Sequence, residues 1–252
     1  MLRRQVAAVL LAVFAGLAAA GALRASGHEE DAARGRLTVL AAASLTEVFP
    51  RIDRRPRYTF AGSNQLAFQL RQGARADVFA SASPQYTRAL FRDRLVEPPR
   101  GFAANVLVLV VPRSNPARLR SVFDLARRTR VRLVVAAPQV PAGAYAERVL
   151  GRLGLSSVLA KVVSREPDVK SVVGKVALGE ADAGFVYRTD VRPVRRRVKA
   201  IALPARAQPE VRYEAAVVRS GANRLEARRF VTKLVRDPRA RRVLRRAGFR
   251  EP

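Results

Sequence analysis

Leu37-Thr38-Val39-Leu40-Ala41-Ala42, followed at once by Ala43-Ser44-Leu45-Thr46-Glu47, is the stretch whose reading decides the fold. The first six residues are apolar or β-branched without alternation, the pattern of a strand buried on both faces. The next five turn small and polar. Ser44 lies three residues before Glu47, a capping-box spacing that predicts a helix start. A buried strand that hands over directly to a helix is the unit of an α/β sheet with parallel strands.

The pattern repeats along the chain. Tyr58–Ala61, Asp77–Ala80, Val106–Val111, Val131–Ala136, Ala183–Tyr187, Val198–Ala202 and Tyr213–Val218 read as further strands. Helical spacing lies between them. Val169, Val172, Val173 and Val176 recur at i, i+3, i+4 and i+7, with Gly179 closing the helix. Ala227, Phe230, Val231 and Leu234 do the same, and Asp237-Pro238 opens a last helix that ends at Gly248. Strands alternating with helices give an α/β class.

Composition narrows the chemistry. The 252 residues include 48 Lys+Arg and 20 Asp+Glu, a formal net charge of +28, with no Cys, no Trp and one His. Absent Cys excludes disulfides, thiolate metal sites and a lipid-modified cysteine. One His excludes a His-based metal cluster and leaves a Ser-His-Asp triad without support. All but five of the basic residues are Arg. Runs such as Arg195-Arg196-Arg197 lack the interleaved aromatics of a nucleic-acid surface and read as a solvated face. The charge does predict a long-range field that attracts anions.

The first thirty residues are an address. Met1-Leu2-Arg3-Arg4 is a short positive start, Val6 to Leu23 is an apolar run, and Ala18-Ala19-Ala20 and Ala22 supply small residues near its end. This is the layout of a secretory signal peptide, with an uncleaved anchor as the alternative. Residues 1–30 are expected to be signal peptide and linker; His28 is a spectator in it.

The informative positions are the turns where strands end. Ser44 follows the first strand; Gly62-Ser63-Asn64 follows the second. Pro141-Ala142-Gly143-Ala144-Tyr145 leads into a helix after the strand ending near Ala136, and Asp168 is the expected N-cap of the helix opening at Val169. Helix N-termini at the carboxyl ends of strands present unpaired N–H groups and partial positive charge, which suit an anion. None of these turns contains a Lys or Arg, in a chain that has 48. Neutral donors are the common feature.

Several motifs together resemble the molybdate-binding proteins of ABC transporters: Leu40-Ala41-Ala42-Ala43-Ser44-Leu45, Phe60-Ala61-Gly62-Ser63-Asn64, and the run from Gly73 to Ala82. Val140 to Tyr145, Gly179 to Tyr187 and Ala247-Gly248-Phe249 continue the resemblance, which covers about residues 36–250. It implies a type II periplasmic binding protein fold with two lobes, each a mostly parallel sheet flanked by helices. Residues 36–108 and 211–252 would form the first lobe and 109–210 the second. It also implies that Ser44, Ser63, Ala142, Val169 and Tyr187 contact the ligand: the two Ser by hydroxyl and N–H, Ala142 and Val169 by N–H, Tyr187 by its phenol. The stretch from Leu45 to Tyr58 is shorter than in such proteins, so the first helix should be stubby, ending near Arg51-Ile52. Asn64 stands where many carry Ser, and Arg75 where Pro is commoner.

Three function classes follow. The first is an extracytoplasmic protein that captures molybdate or tungstate and delivers it to an ABC permease, as a monomer without a cofactor and with no cation ligands. The second is a binding protein of the same fold for another anion or small molecule. The third is a basic surface or nucleic-acid binder. An enzyme has no nucleophile and base to work with; Asp77 and Asp182, at strand starts, read as structural. Protonated phosphate would need a carboxylate acceptor, and none falls on the five contact positions, so a fully deprotonated tetrahedral dianion fits better.

Overall fold

A computed structural model describes residues 35–252. The expected signal peptide and linker, His28 included, lie outside the described residues. Leu37–Pro252 packs as one compact unit.

Among the described residues ten strands form two five-stranded sheets. The first sheet contains β1 (Thr38–Ala42), β2 (Arg57–Ala61), β3 (Val78–Ser81), β4 (Arg100–Asn105) and β10 (Val211–Val217), in the order β2-β1-β3-β10-β4. The second contains β5 (Leu107–Pro112), β6 (Leu133–Ala136), β7 (Val162–Glu166), β8 (Ala183–Tyr187) and β9 (Val198–Ala202), in the order β7-β6-β8-β5-β9. The two orders are the same plan used twice. In each, one strand (β1, β6) is flanked by two parallel partners, the next strand (β10, β5) is reversed, and the edge strand beyond it (β4, β9) pairs antiparallel to that one and so runs with the first three. Four of the five strands in each sheet therefore run the same way, as expected of mostly parallel sheets, and the one reversed strand makes the sheets mixed. The reversed strands are β10 and β5, the two that enter their sheets from the other lobe.

The chain leaves the first sheet after Asn105 and starts β5 at Leu107, so β5 lies wholly in the second sheet. A boundary after residue 108 would cut that strand. The return falls between β9 and β10, with Val211 already in the first sheet.

Burial follows the apolar pattern. Val39, Ala41, Val78, Leu109, Val134 and Phe185 are fully buried, and Val172, Val176, Phe230 and Leu234 form the apolar faces of their helices. The helix Val169–Leu178 is capped by Asp168, which accepts from the Lys170 and Ser171 N–H groups at 2.7 and 3.0 Å. It stops at Gly179, whose φ of 77° is the left-handed conformation that favours glycine. Pro238–Ala247 runs from its Asp237 cap to Gly248. Among the described residues the first α-helix is four residues, Phe49–Ile52.

One local expectation fails. Ser44 and Glu47 form no capping box. Ala43–Leu45 is a single 3₁₀ turn without a side-chain cap, and the Ser44 hydroxyl is bonded to Tyr213 instead. A buried tertiary partner has replaced the local one. Strands β4 and β7, which the sequence pattern did not predict, carry Gly, Arg and Glu and lie at sheet edges.

Candidate functional site

The repeated topology aims corresponding turns at each other. The central strands β1 and β6 are followed by Ser44 and Ala142; the outer parallel strands β2 and β7 are followed by Ser63 and Val169; β8 ends in Tyr187. All five residues line one small pocket between the lobes, with a cavity volume of about 10 Å³. Each is almost inaccessible to solvent, between 1 and 4% exposed.

Local sequence explains what each turn offers. Gly62 is the N-cap of the helix Ser63–Arg71 and has no side chain to cap it, so the Ser63 N–H has no acceptor within the helix. The Ser63 hydroxyl oxygen accepts the Ala82 N–H at 3.1 Å, leaving its hydrogen for another partner. The helix Pro141–Arg152 begins with a residue that lacks an N–H, so Ala142 carries its first usable donor. A Cβ on Gly143 would lie 2.2 Å from the Ala137 carbonyl oxygen and 2.4 Å from that of Ala136; glycine lets this helix start sit against the end of β6. At Val169 the Asp168 cap takes the next two N–H groups and leaves that of Val169.

Tyr187 is the clearest case. Its ring is 1% exposed, and its hydroxyl is buried without a hydrogen-bond partner among the described residues. A buried, unpaired hydroxyl costs roughly 1–3 kcal/mol. Burial first, then the neighbouring Tyr213, Tyr145 and Asp190, hold its pKa well above the usual phenol range, so the group remains a donor.

Among the described residues no Lys or Arg lines the pocket. Its one charged residue is Asp168, whose Oδ1 serves the two helix N–H groups and whose Oδ2 lies 3.3 Å from the Ser171 hydroxyl. Asp168 was expected as a cap; its place in the wall was not. Behind Tyr187 sits Asp190, fully buried and accepting the Tyr187 N–H at 3.3 Å. Burial pushes its pKa from 3.8 up to about 6, against the pull of Lys170, whose Nζ is 3.5 Å away.

The lobes touch around the pocket. A Cβ on Gly62 would be 2.5 Å from the Pro167 carbonyl oxygen of the other lobe. The Tyr86 hydroxyl donates to the Gln139 carbonyl, and Lys170 Nζ is 3.9 Å from the Glu47 carboxylate. Asp77 and Asp182 are structural: Asp77 accepts the Thr38 and Asn223 N–H groups, and Asp182 that of Arg132. Arg75 is exposed and Asn64 is outside the pocket lining. Among the described residues no group of three His, Cys, Asp or Glu could hold a metal ion, and no helix is long and apolar enough to cross a membrane.

Sequence reading missed Tyr213, Asn105 and Thr189, which back the pocket from 61 or more residues beyond Ser44 in the chain. No local pattern marks them.

The model of the bacterial extracellular solute-binding protein family matches residues 37–250. A molybdate-binding protein of Mycobacterium tuberculosis is 35% identical over 250 residues, covering 94% of each chain. One of Escherichia coli is 30% identical over 255 residues, covering 95% of this chain and 97% of the other. The periplasmic molybdate-binding protein of Azotobacter vinelandii shares the fold, with a TM-score of 0.73 over 86% of this chain and 99% of that one, at 22% identity. The chain belongs to the bacterial extracellular solute-binding proteins.

Proposed function

We propose that the protein is exported, captures molybdate or tungstate in the pocket between its lobes, and delivers it to an ABC permease. The observation that carries this reading is the Tyr187 hydroxyl, buried and unpaired in a pocket walled by helix N-termini. Ser44 and Ser63 would give hydroxyl and N–H, Ala142 and Val169 N–H, and Tyr187 its phenol. These donors match an anion that carries no hydrogen of its own. The relatives named for molybdate favour that dianion over others.

Binding would need no cofactor. Molybdenum would enter as its oxyanion, with no protein atom bound to the metal. A monomer suffices, since both walls come from one chain, and neither catalysis nor nucleic-acid binding is expected of it. Residues 1–30 would direct export.

One observation favours a second reading, a protonated oxyanion such as hydrogenphosphate. Asp168 in the wall is a possible acceptor. Its oxygens are already engaged, which weighs against it. Calorimetric titration of the mature domain with molybdate, tungstate, sulfate and phosphate separates the two. Molybdate and tungstate should bind one per chain, far more tightly than phosphate. Tighter binding of phosphate would overturn the proposal.

A further inference from the structure

Behind the pocket, a buried set of hydrogen bonds fixes the direction of the Ser44 hydroxyl. Asn105 ends β4, where the chain leaves the first lobe. Its Oδ1 accepts the Val106 N–H at 2.9 Å, so its amide nitrogen faces the other way. That nitrogen donates to Thr189 Oγ1 at 2.9 Å and to Tyr213 Oη at 3.3 Å. Both amide hydrogens are thus spent, one on each side of the lobe boundary.

Tyr213 is fully buried, and burial above all holds its phenol protonated. Having accepted from Asn105, its oxygen keeps one hydrogen to place. Ser44 Oγ lies 2.8 Å away. If Ser44 donated instead, the Tyr213 hydrogen would be left unpaired in the core, at a cost of roughly 1–3 kcal/mol. Tyr213 therefore donates and Ser44 accepts. The Ser44 hydrogen is not consumed by the core and is available to the pocket that Ser44 lines.

We propose that Tyr213 and Asn105 are positioning residues that hold Ser44 as a hydrogen donor toward the pocket and thereby select anions without a proton. This rests on the oxyanion reading above. A ligand carrying O–H needs an acceptor, and the Tyr213 hydrogen occupies one of the lone pairs with which Ser44 could supply it. Discrimination of this kind is set behind the pocket, by groups that never touch the ligand.

The test is calorimetric competition of molybdate against phosphate at about pH 8, where phosphate is chiefly the monohydrogen dianion. Tyr213→Phe keeps the ring and removes the hydroxyl. We expect it to lower the ratio of molybdate to phosphate affinity by about tenfold. In a Ser44→Ala background the same change should move the ratio by less than about twofold. A merely structural role, through ring packing against Tyr187 and Phe249, would weaken both ligands alike in both backgrounds; that result overturns the proposal. Asn105→Asp gives a second arm. A carboxylate there can only accept, so Tyr213 would donate to it and Ser44 to Tyr213. Molybdate affinity should then fall about as far as in Ser44→Ala, and fall little further in the double variant. An equal loss in both backgrounds overturns the directional account. If the native chain binds no oxyanion, the proposed function itself fails; if it binds molybdate and Tyr213→Phe keeps the native ratio, only this inference fails.

Discussion

The two lobes share one topology and meet the pocket with different chemistry. At the tips of β1 and β2 the first lobe places Ser44 and Ser63, whose hydroxyl oxygens are anchored by Tyr213 and by the Ala82 N–H. At the tips of β6 and β7 the second lobe places Ala142 and Val169, which offer only backbone, with Tyr187 beside them. Side-chain donors can be oriented by what lies behind them. Backbone donors are oriented by where the helix starts, and that is set by Pro141, Gly143 and Asp168. The first lobe tunes direction; the second fixes position.

The largest effect should come from the glycines that set those positions. Gly143→Ala pushes a Cβ against two carbonyls of its own lobe. We expect a loss of about 3 kcal/mol in stability, seen as a lower melting temperature, together with loss of molybdate binding. Gly62→Ala meets the Pro167 carbonyl across the pocket at 2.5 Å and, within its own lobe, only the movable end of a side chain, Asn64 Oδ1 at 2.7 Å. Its φ of −59° suits alanine, so the melting temperature without ligand should hold, while affinity falls at least about tenfold through blocked closure. Equal melting losses in both variants would erase the distinction between the lobes.

Asp190 gives a pH signature specific to the second lobe. Its pKa is raised from 3.8 to about 6. Between those values the unfolded chain ionises while the folded one keeps its proton, so this group makes stability fall as pH rises, by up to about 3 kcal/mol. The contribution levels off above about pH 6. Asp190→Asn should remove that slope. Denaturant melts of both proteins across this range check it, and parallel curves would contradict it.

Tyr187→Phe should act in opposite senses on folding and binding. Removing an unpaired buried hydroxyl should stabilise the unliganded protein by about 1 kcal/mol. Losing the donor should weaken molybdate by about tenfold, less than either Ser→Ala change, because the ring still packs. Melting and titration on the same sample read both.

The smallest effect is expected at Arg75. Its side chain is exposed and outside the pocket lining, so Arg75→Ala should change affinity and stability by less than about 0.5 kcal/mol. A charge of +28 should act on the rate of capture, screened beyond about 8 Å at physiological ionic strength.

Much of this was legible in the sequence because the informative signals are local. The Val169–Val176 spacing, the Asp168 and Asp237 caps, Gly179 and the strand-to-helix turns each declare themselves within a few residues. All five expected contact residues come to one pocket for that reason. What sequence could not give is tertiary. Ser44 matches a capping box with Glu47, yet its hydroxyl pairs with Tyr213, 169 residues away. Strands β4 and β7 gain their pairing from neighbours rather than from an apolar run. The one reversed strand of each sheet depends on where the chain crosses between lobes, which periodicity does not encode.

Calorimetric titration of molybdate into the native chain, Ser63→Ala and Arg75→Ala tests the central claim most directly. The account predicts one site per chain in all three folded proteins. Loss of one hydroxyl donor to a charged ligand, worth about 1.5–3 kcal/mol, should weaken Ser63→Ala by roughly 10- to 150-fold without abolishing binding. Arg75→Ala should bind as the native chain does. Abolished binding in Arg75→Ala beside native affinity in Ser63→Ala would show that the site is cationic and lies elsewhere.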